Sequence, residues 1–333
     1  MVPLFSARHV EAAVSPAKAL EAVRDGFLAY SRGEWSMPPK VYVPAYPAGD
    51  FRAMPVLGGG HAALKWVTSF PGNPGRGLPT VTGVVLLSDA SNGSLVAVLD
   101  AATVTALRTG AAAVLAAETL GREDAGTAAV VGAGVNGRAA ARTFQERGRD
   151  VLLWDVDAVR AHTVADELGT RVAGSAEEAL GADLVVTVTP GHEPLYRTGS
   201  LRHGQHVSLM GADGPGKAEI EVAELVRSHV SSDEREELHP STKRDLEPRV
   251  RVFIDDWEQA SHGGEIAGAV YAGTLGRDDV AELGAVLAGR APGRQSPDDV
   301  TLFDSTGLAI QDLAVALAAM ERAEELDLPM IDL

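Results

Sequence analysis

The spacing of apolar residues predicts two kinds of structure in the first part of the chain. Residues 9–32 carry them at helical intervals, with Ser15 and Pro16 suited to the N-cap and first-turn positions. From Met37 to Val98, short apolar stretches separated by Pro/Gly clusters indicate mostly antiparallel strands with tight turns. The clearest of these stretches are Val41–Val43, Ala62–Val67, Thr80–Leu87 and Ser94–Leu99.

The pattern then changes to an alternation of strands and helices. Residues 101–120 are alanine-rich with helical spacing, and Gly121 is a natural helix stop. Beyond it, buried parallel strands alternate with helices. The strands are predicted at Thr127–Val131, Val151–Trp154, Leu184–Val188, Val207–Met210 and Arg251–Ile254, and the helices at 136–147, 157–168 and 176–180.

These patterns predict an α/β protein of two domains. A Rossmann domain with a doubly wound parallel sheet is expected at residues 121–301. An α+β domain is expected at 1–120 and 302–333, because a last helix at about 307–326 is apolar on much of its surface and should pack on the N-terminal half. Residues 231–249 are polar and aperiodic, which indicates a surface insertion.

Composition narrows the possible partners. A net charge of −17 argues against a nucleic-acid partner, since phosphate binding needs a basic surface. The longest apolar run, Ala111–Ala117, is far too short to span a membrane, and Met1–Ala12 does not resemble a signal peptide. Without cysteines or targeting signals, a cytoplasmic enzyme is expected. The acidity and the scarcity of lysine fit a salt-rich cytoplasm or merely a GC-rich genome.

A glycine-rich turn carries the strongest chemical signal. A strand ending at Val131 runs into G-x-G-x-x-G at Gly132, Gly134 and Gly137, and then into a helix whose N-terminus suits a pyrophosphate. The next strand ends in Asp155, where a carboxylate can bind ribose hydroxyls. An ordinary βα turn is the alternative reading. Asp155 favours NAD over NADP, although nearby Arg160 leaves NADP possible.

Two further loops are expected at the same edge of the sheet, one at Val188–Pro190 and one at Met210–Lys217. Asp213, in the second loop, is placed to act as a general acid or base, although an Asp-Gly can simply shape a turn. In the other domain, isolated cations stand in apolar surroundings and need anionic partners, for which a substrate carboxylate or cofactor phosphates are suited. These cations are Lys40, Arg52, Lys65 and Arg108, and each could instead be a solvated surface charge.

The chain resembles the ornithine cyclodeaminase/μ-crystallin family, and within it the archaeal-type alanine dehydrogenases. The resemblance covers nearly the whole chain. It is carried by Met37–Tyr42, Phe51–Pro55, Leu64–Val67, Pro71–Pro74, Leu78–Val81, Ala106–Gly110, Gly211–Lys217, His262–Ile266 and Phe303–Asp312. The cyclodeaminases typically have arginine where this chain has Lys40, so that position resembles the alanine dehydrogenases.

The resemblance implies a homodimer in which the α+β domain binds substrate and dimerises. It implies that Lys65 and Arg108 hold a substrate carboxylate and that Asp213 is the catalytic carboxylate. It further implies cofactor contacts by Thr80, Arg108, Thr109, Val135, Asn136, Asp155, Thr189, Val207, Ser208, Leu209, Met210, Lys217 and Thr306. No metal ligand is implied. The segment from His262 to Glu265 has no role that chemistry assigns, except that it can cap a helix.

We expect reversible oxidative deamination of L-alanine to pyruvate and ammonia with NAD. Arg52, Lys65 and Arg108 would clamp the carboxylate, while Asp213, Lys65 or Lys40 carries protons. Reduction of pyrroline-2-carboxylate and cyclisation of ornithine to proline are the alternatives on the same scaffold. A catalytically silent binding protein is a further alternative, which retention of Asp213, Lys65 and Arg108 disfavours.

Overall fold

The chain separates into two compact units in the computed structural model, which describes residues 1–191, 193–212, 214, 216–226 and 248–332. The first unit comprises Met1–Ala112 and Gly307–Leu333, and the second comprises Ala113–Thr306. Most of the predicted insertion, residues 231–247, lies outside the described residues.

The described part of the chain contains both helices and strands. Up to Leu120 they are β1 (Val2–Phe5), α1 (Ala7–Ala13), α2 (Pro16–Ser31), β2 (Val41–Ala45), β3 (Gly49–Gly58), β4 (His61–Ser69), β5 (Val81–Asp89), β6 (Leu95–Asp100) and α3 (Ala101–Leu120). Beyond it they are β7 (Ala128–Val131), α4 (Val135–Glu146), β8 (Val151–Trp154), α5 (Ala158–Leu168), β9 (Arg171–Val172), α6 (Ala176–Leu180), β10 (Leu184–Thr187), β11 (His206–Leu209), α7 (Val222–Leu225), β12 (Val250–Ile254), α8 (Trp257–Gly263), α9 (Ala267–Tyr271), β13 (Val280–Glu282), α10 (Leu283–Leu287), β14 (Val300–Asp304), α11 (Ala309–Met320) and β15 (Met330–Ile331).

The first unit is built on a seven-stranded sheet in the order β15-β1-β6-β5-β4-β3-β2. Its strands β2 to β6 pair antiparallel, as the turn-rich sequence predicts. The long strand β3 is absent from the sequence prediction, because Arg52 and Pro55 interrupt the apolar alternation by which a strand is recognised. Strand β3 pairs with β2 on one side and with β4 on the other, and these pairings fix the position of Arg52.

The helical pattern over 9–32 is divided into two helices. Val14 has extended backbone, and Ser15 caps α2 by accepting a hydrogen bond from the Lys18 backbone N–H at 3.1 Å. Pro16 occupies the first turn, as predicted, since its missing N–H has no partner to lose there.

The C-terminal helix α11 is shorter than the predicted 307–326 but is buried on almost every side. It packs against α2 and against strands of the first sheet. Because a helix that is apolar all round must be covered all round, this segment is the core of the first unit. Its burial also places the polar residues of its first turn, Gln311 and Asp312, out of contact with water.

The second unit holds eight parallel strands in the order β13-β12-β14-β11-β10-β7-β8-β9. The order reverses direction between β7 and β10, which is the topological switch point of a doubly wound sheet. Ligands of such sheets bind outside the carboxyl ends of the strands at this point. The glycine turn follows β7, and the loop Val188–Pro190 follows β10. The glycine turn and this loop therefore lie at the switch point.

Helix α3 contributes to both units, which is why the unit boundary falls inside it instead of at its predicted end. The Ser208 hydroxyl donates to the Ala113 carbonyl at 2.9 Å, within the second unit. Arg294 donates from Nε to the Leu120 carbonyl at 2.8 Å, and Thr301 donates to the same carbonyl at 3.0 Å. Neither α3 nor any other helix in the described ranges is long and apolar enough to cross a bilayer.

Candidate functional site

The turn after β7 has the close packing that a dinucleotide requires. Gly132 has φ +103°, and a Cβ there would overlap the Val188 carbonyl oxygen. A Cβ at Gly137 would overlap the Gly132 carbonyl oxygen, so the first turn of α4 packs on the glycine turn only without a side chain. Gly134 caps α4 and faces open space. The free N–H groups of α4 therefore remain approachable by a pyrophosphate, and the loop fits that group.

Asp155, at the end of β8, is tied to this turn. Its Oδ2 accepts the Ala133 backbone N–H at 2.7 Å, and its Oδ1 accepts the Asp157 N–H at 2.8 Å. Arg160 Nη1 lies 3.3 Å from both oxygens. The carboxylate is thus oriented by the glycine loop and partly neutralised by a guanidinium, an arrangement compatible with ribose hydroxyls and less repulsive to a 2′-phosphate than a lone aspartate.

Glu219 joins the loops that follow β10 and β11. Its carboxylate is fully buried and accepts hydrogen bonds from the Thr187 hydroxyl at 2.7 Å, from Thr189 N–H and hydroxyl at 2.7 and 2.6 Å, and from Gly211 N–H at 2.8 Å. Burial raises its pKa, and these hydrogen bonds oppose that rise by stabilising the anion. One side chain therefore fixes two loops at the switch point.

This clamp restricts what Thr189 can offer to a cofactor. Its N–H and its hydroxyl hydrogen are both used by Glu219, so the side chain retains only acceptor capacity, suited to a sugar hydroxyl and not to a phosphate oxygen. On β11, the side chains of Val207 and Leu209 are in the core and Ser208 is used by Ala113. Any contribution of these three to a cofactor site passes through the backbone.

A second layer of buried carboxyl groups lies behind Glu219. Glu265 accepts the Glu219 backbone N–H at 2.8 Å, and burial, with the charges of Asp304 and Glu219, raises its pKa to about 9. Burial and the charge of Asp255 raise the pKa of Asp304 to about 8. Both groups are therefore mostly protonated at neutral pH. Glu265 holds the chain entering Glu219 and does not cap a helix, which gives the His262–Glu265 segment a structural role.

In the first unit, Lys65 forms a buried ion pair. Its Nζ donates to Asp312 Oδ1 at 2.7 Å and to the Thr105 hydroxyl at 3.3 Å. Arg108 Nε lies 3.5 Å from the same carboxylate, and Arg108 Nη1 donates to Gln311 Oε1 at 3.2 Å. Strand β4, helix α3 and the first turn of α11 thus bring two cations and one anion together, so the cluster carries one net positive charge when Lys65 is protonated.

Burial lowers the pKa of Lys65 to about 7, with Asp312 opposing the shift and the positive charges of Arg108 and Lys40 adding to it. Lys65 is therefore close to half-protonated at neutral pH. The positive charge of Lys40 can lower this pKa only because it lies near Lys65.

Arg52 lies on the same face of the sheet as Lys65. It pairs directly with Val67, two residues from Lys65 along β4. Its guanidinium is held by Asp50 at 2.6 Å and lies over the Tyr42 ring at 5.3 Å. The anionic partner that the sequence analysis requires for Arg52 and Lys65 is thus supplied, at least in part, by the chain itself.

The remaining predicted residues are distributed between the units. Thr80 and Thr109 belong to the first unit, and the buried Thr109 hydroxyl has no hydrogen-bond partner within the described ranges. Val135, Asn136, Met210 and Lys217 belong to the second, together with Thr306, whose hydroxyl donates to Asp255 at 3.2 Å. Asp213 lies outside the described residues.

Several residues of these clusters carry no role predicted from sequence, among them Glu219, Glu265, Gln311 and Asp312. Glu265, Gln311 and Asp312 lie in segments on which the family resemblance rests, so their presence was visible. Their burial and partners were not, because Asp312 meets Lys65 across 247 positions of sequence.

A parallel sheet with a glycine turn at its switch point, joined in one chain to an α+β unit with buried cations, defines a two-unit protein of the Rossmann class. The chain belongs to the ornithine cyclodeaminase/mu-crystallin family, whose model matches residues 3–243 and 231–327. It is 36% identical over 333 residues to the alanine dehydrogenase of Archaeoglobus fulgidus, a match that covers 96% of this chain and 94% of that one.

Solved structures agree with this membership. An archaeal alanine dehydrogenase dimer with bound NAD superposes with a TM-score of 0.85 at 37% identity, covering 97% of this chain and 96% of that one. The Thermococcus litoralis Δ1-pyrroline-2-carboxylate reductase, in complex with NADH and L-proline, superposes with a TM-score of 0.87 at 27% identity, covering 99% and 100%. Both confirm the predicted fold class.

Replacing Glu219 with alanine is expected to weaken NADH binding about tenfold or more, because Thr189 N–H, Thr187 and Gly211 N–H lose a buried acceptor and the two loops lose their common anchor. Titration of NADH fluorescence measures this. Glu219→Gln keeps one acceptor oxygen, so its NADH affinity should lie between those of the wild type and Glu219→Ala. The control is Glu178→Ala, which removes an exposed carboxylate of α6. A folded Glu219→Ala protein that binds NADH as tightly as the wild type would contradict the role of Glu219 in anchoring the two loops.

Proposed function

We propose that the chain is an NAD-dependent oxidoreductase of small amino acids and their keto or imino acids, with L-alanine dehydrogenase as its first activity. The observation that carries the chemistry is the buried cationic cluster of Lys65, Arg108 and Asp312 in a chain that also has the glycine turn of a dinucleotide site. The choice of alanine rests on 36% identity across 96% of the chain to an alanine dehydrogenase.

The proposed cofactor is NAD, with NADP possible because Arg160 offsets the charge of Asp155. The turn at Gly132, the N-terminus of α4 and Asp155 hold its pyrophosphate and ribose. A bound nicotinamide supplies the redox chemistry, by accepting a hydride from the substrate Cα or returning one to an imine carbon.

The substrate carboxylate is held by Lys65 and Arg108, with Arg52 on the same sheet face. Once the Cα–N bond of alanine is an iminium, water adds to carbon, and Asp213 or a neutral lysine takes the proton of that water. Collapse of the adduct releases ammonia and leaves pyruvate. Lys40, close enough to depress the pKa of Lys65, is the second proton carrier. Most of the rate enhancement then comes from position and charge.

Reduction of a cyclic imine acid is the second candidate. It is favoured by the likeness to the Thermococcus litoralis reductase over all of that chain, and it needs the same carboxylate clamp but no ammonia. Ornithine cyclisation needs in addition a place for the δ-amino group. The alternative that is not an enzyme is a catalytically silent binding protein, which would bind the cofactor without turning over a substrate.

We further propose that the chain is a homodimer through the outer face of the first sheet. Val41, Ala53, Trp66 and Val84 stand in register across β2 to β5 on the face opposite Lys65. Val41 is 55% and Trp66 38% exposed, and Phe51 stacks on Trp66. An apolar face of this kind on a soluble unit usually marks an interface, and an archaeal alanine dehydrogenase is a dimer.

The function is tested by following NADH absorbance at low and at multimolar salt with pyruvate plus ammonium, then with pyrroline-2-carboxylate, and by assaying L-ornithine with NAD for proline. Oxidation of NADH that requires both pyruvate and ammonium is expected. Asp213→Asn should lower its rate at least about a hundredfold, while Asp150→Asn, an exposed carboxylate, leaves it unchanged.

If only the cyclic imine is turned over, the protein is a ketimine reductase and not an alanine dehydrogenase. If proline forms from L-ornithine without net redox change, the protein is a cyclodeaminase. Binding of NADH with no turnover of any of these substrates contradicts an enzymatic function.

The pH dependence of kcat/KM for pyruvate reports the role of Lys65. With its pKa at about 7, the ammonium is present below that pH and lost above it, so a carboxylate-binding Lys65 makes kcat/KM fall about tenfold per unit above pH 7. Lys65→Arg should remove this limb, since arginine stays charged. The control is Lys18→Arg on the surface. A rise of kcat/KM through pH 7 that Lys65→Arg removes would instead make Lys65 a base.

The dimer is tested by light scattering after size exclusion. Val43→Glu, on the outer face of β2, should shift the mass to that of one chain, because a charge at an apolar interface is left without a partner. Tyr271→Glu changes a fully exposed apolar residue of the second unit and should leave the mass unchanged. A wild-type protein that is monomeric at micromolar concentration refutes the interface.

A further inference from the structure

We propose that Gln311 is a substrate-positioning residue whose side-chain amide N–H donates a hydrogen bond to the carboxylate held by Lys65 and Arg108. The inference rests on the proposed carboxylate site and adds a neutral donor to its two cations.

The orientation of the amide follows from its neighbours. Gln311 Oε1 accepts from Arg108 Nη1 at 3.2 Å and from the Leu308 backbone N–H at 3.3 Å. Both partners are donors only, so the oxygen and not the nitrogen must face them. The NH₂ group is therefore turned to the other side of the side chain, and its direction is fixed by two contacts.

That NH₂ group meets no acceptor in the part of the chain that the structure describes. Gln311 is fully buried, and its Nε2 has no hydrogen-bond partner among the described residues. Leaving a buried donor unsatisfied costs free energy, and such groups are rare in folded proteins unless a ligand completes them. The amide is thus oriented toward an acceptor that the described residues do not supply.

A purely structural role accounts for only half of the side chain. Gln311 is the third residue of α11, and a glutamine there commonly caps the N–H of the residue that precedes the helix, here Leu308. Capping uses Oε1 and would be served equally by glutamate. It gives no reason for a buried NH₂ group beside two cations.

The charge of the cluster identifies the acceptor. When Lys65 is protonated, Lys65 and Arg108 together carry two positive charges and Asp312 one negative charge, so the cluster then attracts a single carboxylate. Arg108 Nε lies 3.5 Å from Asp312 Oδ1 but makes no hydrogen bond to any described residue. A monocarboxylate placed between these groups would accept from Arg108 Nε and Gln311 Nε2 together, which satisfies both buried donors.

Two variants separate the donor from the cap. Gln311→Glu keeps the acceptor for Leu308 and Arg108 but replaces the NH₂ group with an anionic oxygen. Gln311→Met removes the acceptor and the NH₂ group without adding charge, so a loss of carboxylate binding in Gln311→Met with an unchanged Tm is the outcome that reports the donor. Binding of pyruvate, L-proline and L-ornithine to the NADH complex is measured by quenching of bound NADH fluorescence, which needs no turnover. Both variants should bind a carboxylate about tenfold or more weakly, with NADH affinity within about twofold of wild type.

The matched control is Gln145 in the second unit, whose amide donates to the Leu168 carbonyl at 2.8 Å. Gln145→Glu and Gln145→Met should leave carboxylate binding unchanged. Thermal unfolding of all four variants identifies any loss of fold.

Wild-type carboxylate affinity in Gln311→Glu overturns the inference, and so does a loss confined to Gln311→Met with a lowered Tm, which indicates capping alone. Failure of the wild-type NADH complex to bind any of the three carboxylates overturns it as well. Carboxylate binding that depends on Gln311 without turnover of any substrate supports the inference and refutes the proposed enzyme activity instead.

Discussion

The ion pair between Lys65 and Asp312 is the contact around which the first unit is organised. An ammonium on the inner face of a sheet is tolerated only beside an anion, since removing an unpaired charge from water costs several kcal/mol. Asp312 supplies that anion from the first turn of α11, 2.7 Å away. The apolar helix must therefore return to the N-terminal sheet in one register, which also sets Gln311 against Arg108.

The second unit solves a related problem with carboxyl groups. Its switch-point loops carry backbone N–H groups that would be unsatisfied if buried, and Glu219 accepts two of them. Glu265 then accepts the N–H of Glu219 itself. Stacking acids in this way is possible because the groups behind Glu219 are mostly neutral near pH 7, so their mutual repulsion is small. Loop geometry is thus held by the buried carboxyl groups of the chain itself.

Local signals made the dinucleotide loop predictable from sequence. The glycines at 132 and 137, the helix after them and Asp155 are separated by short, regular distances, and the structure brings them together as the motif requires. The strands β8, β10 and β12 were likewise visible as apolar runs, since parallel strands are buried on both faces. Strand β3 was not, because Arg52 and Pro55 break its alternation.

The candidate substrate cluster was predictable only in part, for the same physical reason. An isolated lysine among apolar residues indicates that an anionic partner is needed, but it does not indicate which group supplies that anion. Asp312 stands 247 positions away, and no periodicity relates it to Lys65. Sequence reasoning therefore assigned the anion to a ligand, whereas the chain supplies one of its own. The orientation of the Gln311 amide depends on its contacts with Arg108 and with the Leu308 backbone N–H, and no sequence pattern indicates it.

The distance along the chain between Lys65 and Asp312 also has a consequence for biosynthesis. The second unit is one continuous stretch, Ala113–Thr306, and all of it is translated before Asp312. The first unit, although its translation begins first, lacks its central helix and the partner of its buried lysine until Ala309–Met320 has been made. The first unit can therefore complete its core only after the second unit has been synthesised, and chains that end before Asp312 expose the apolar inner face of a sheet to chaperones and proteases.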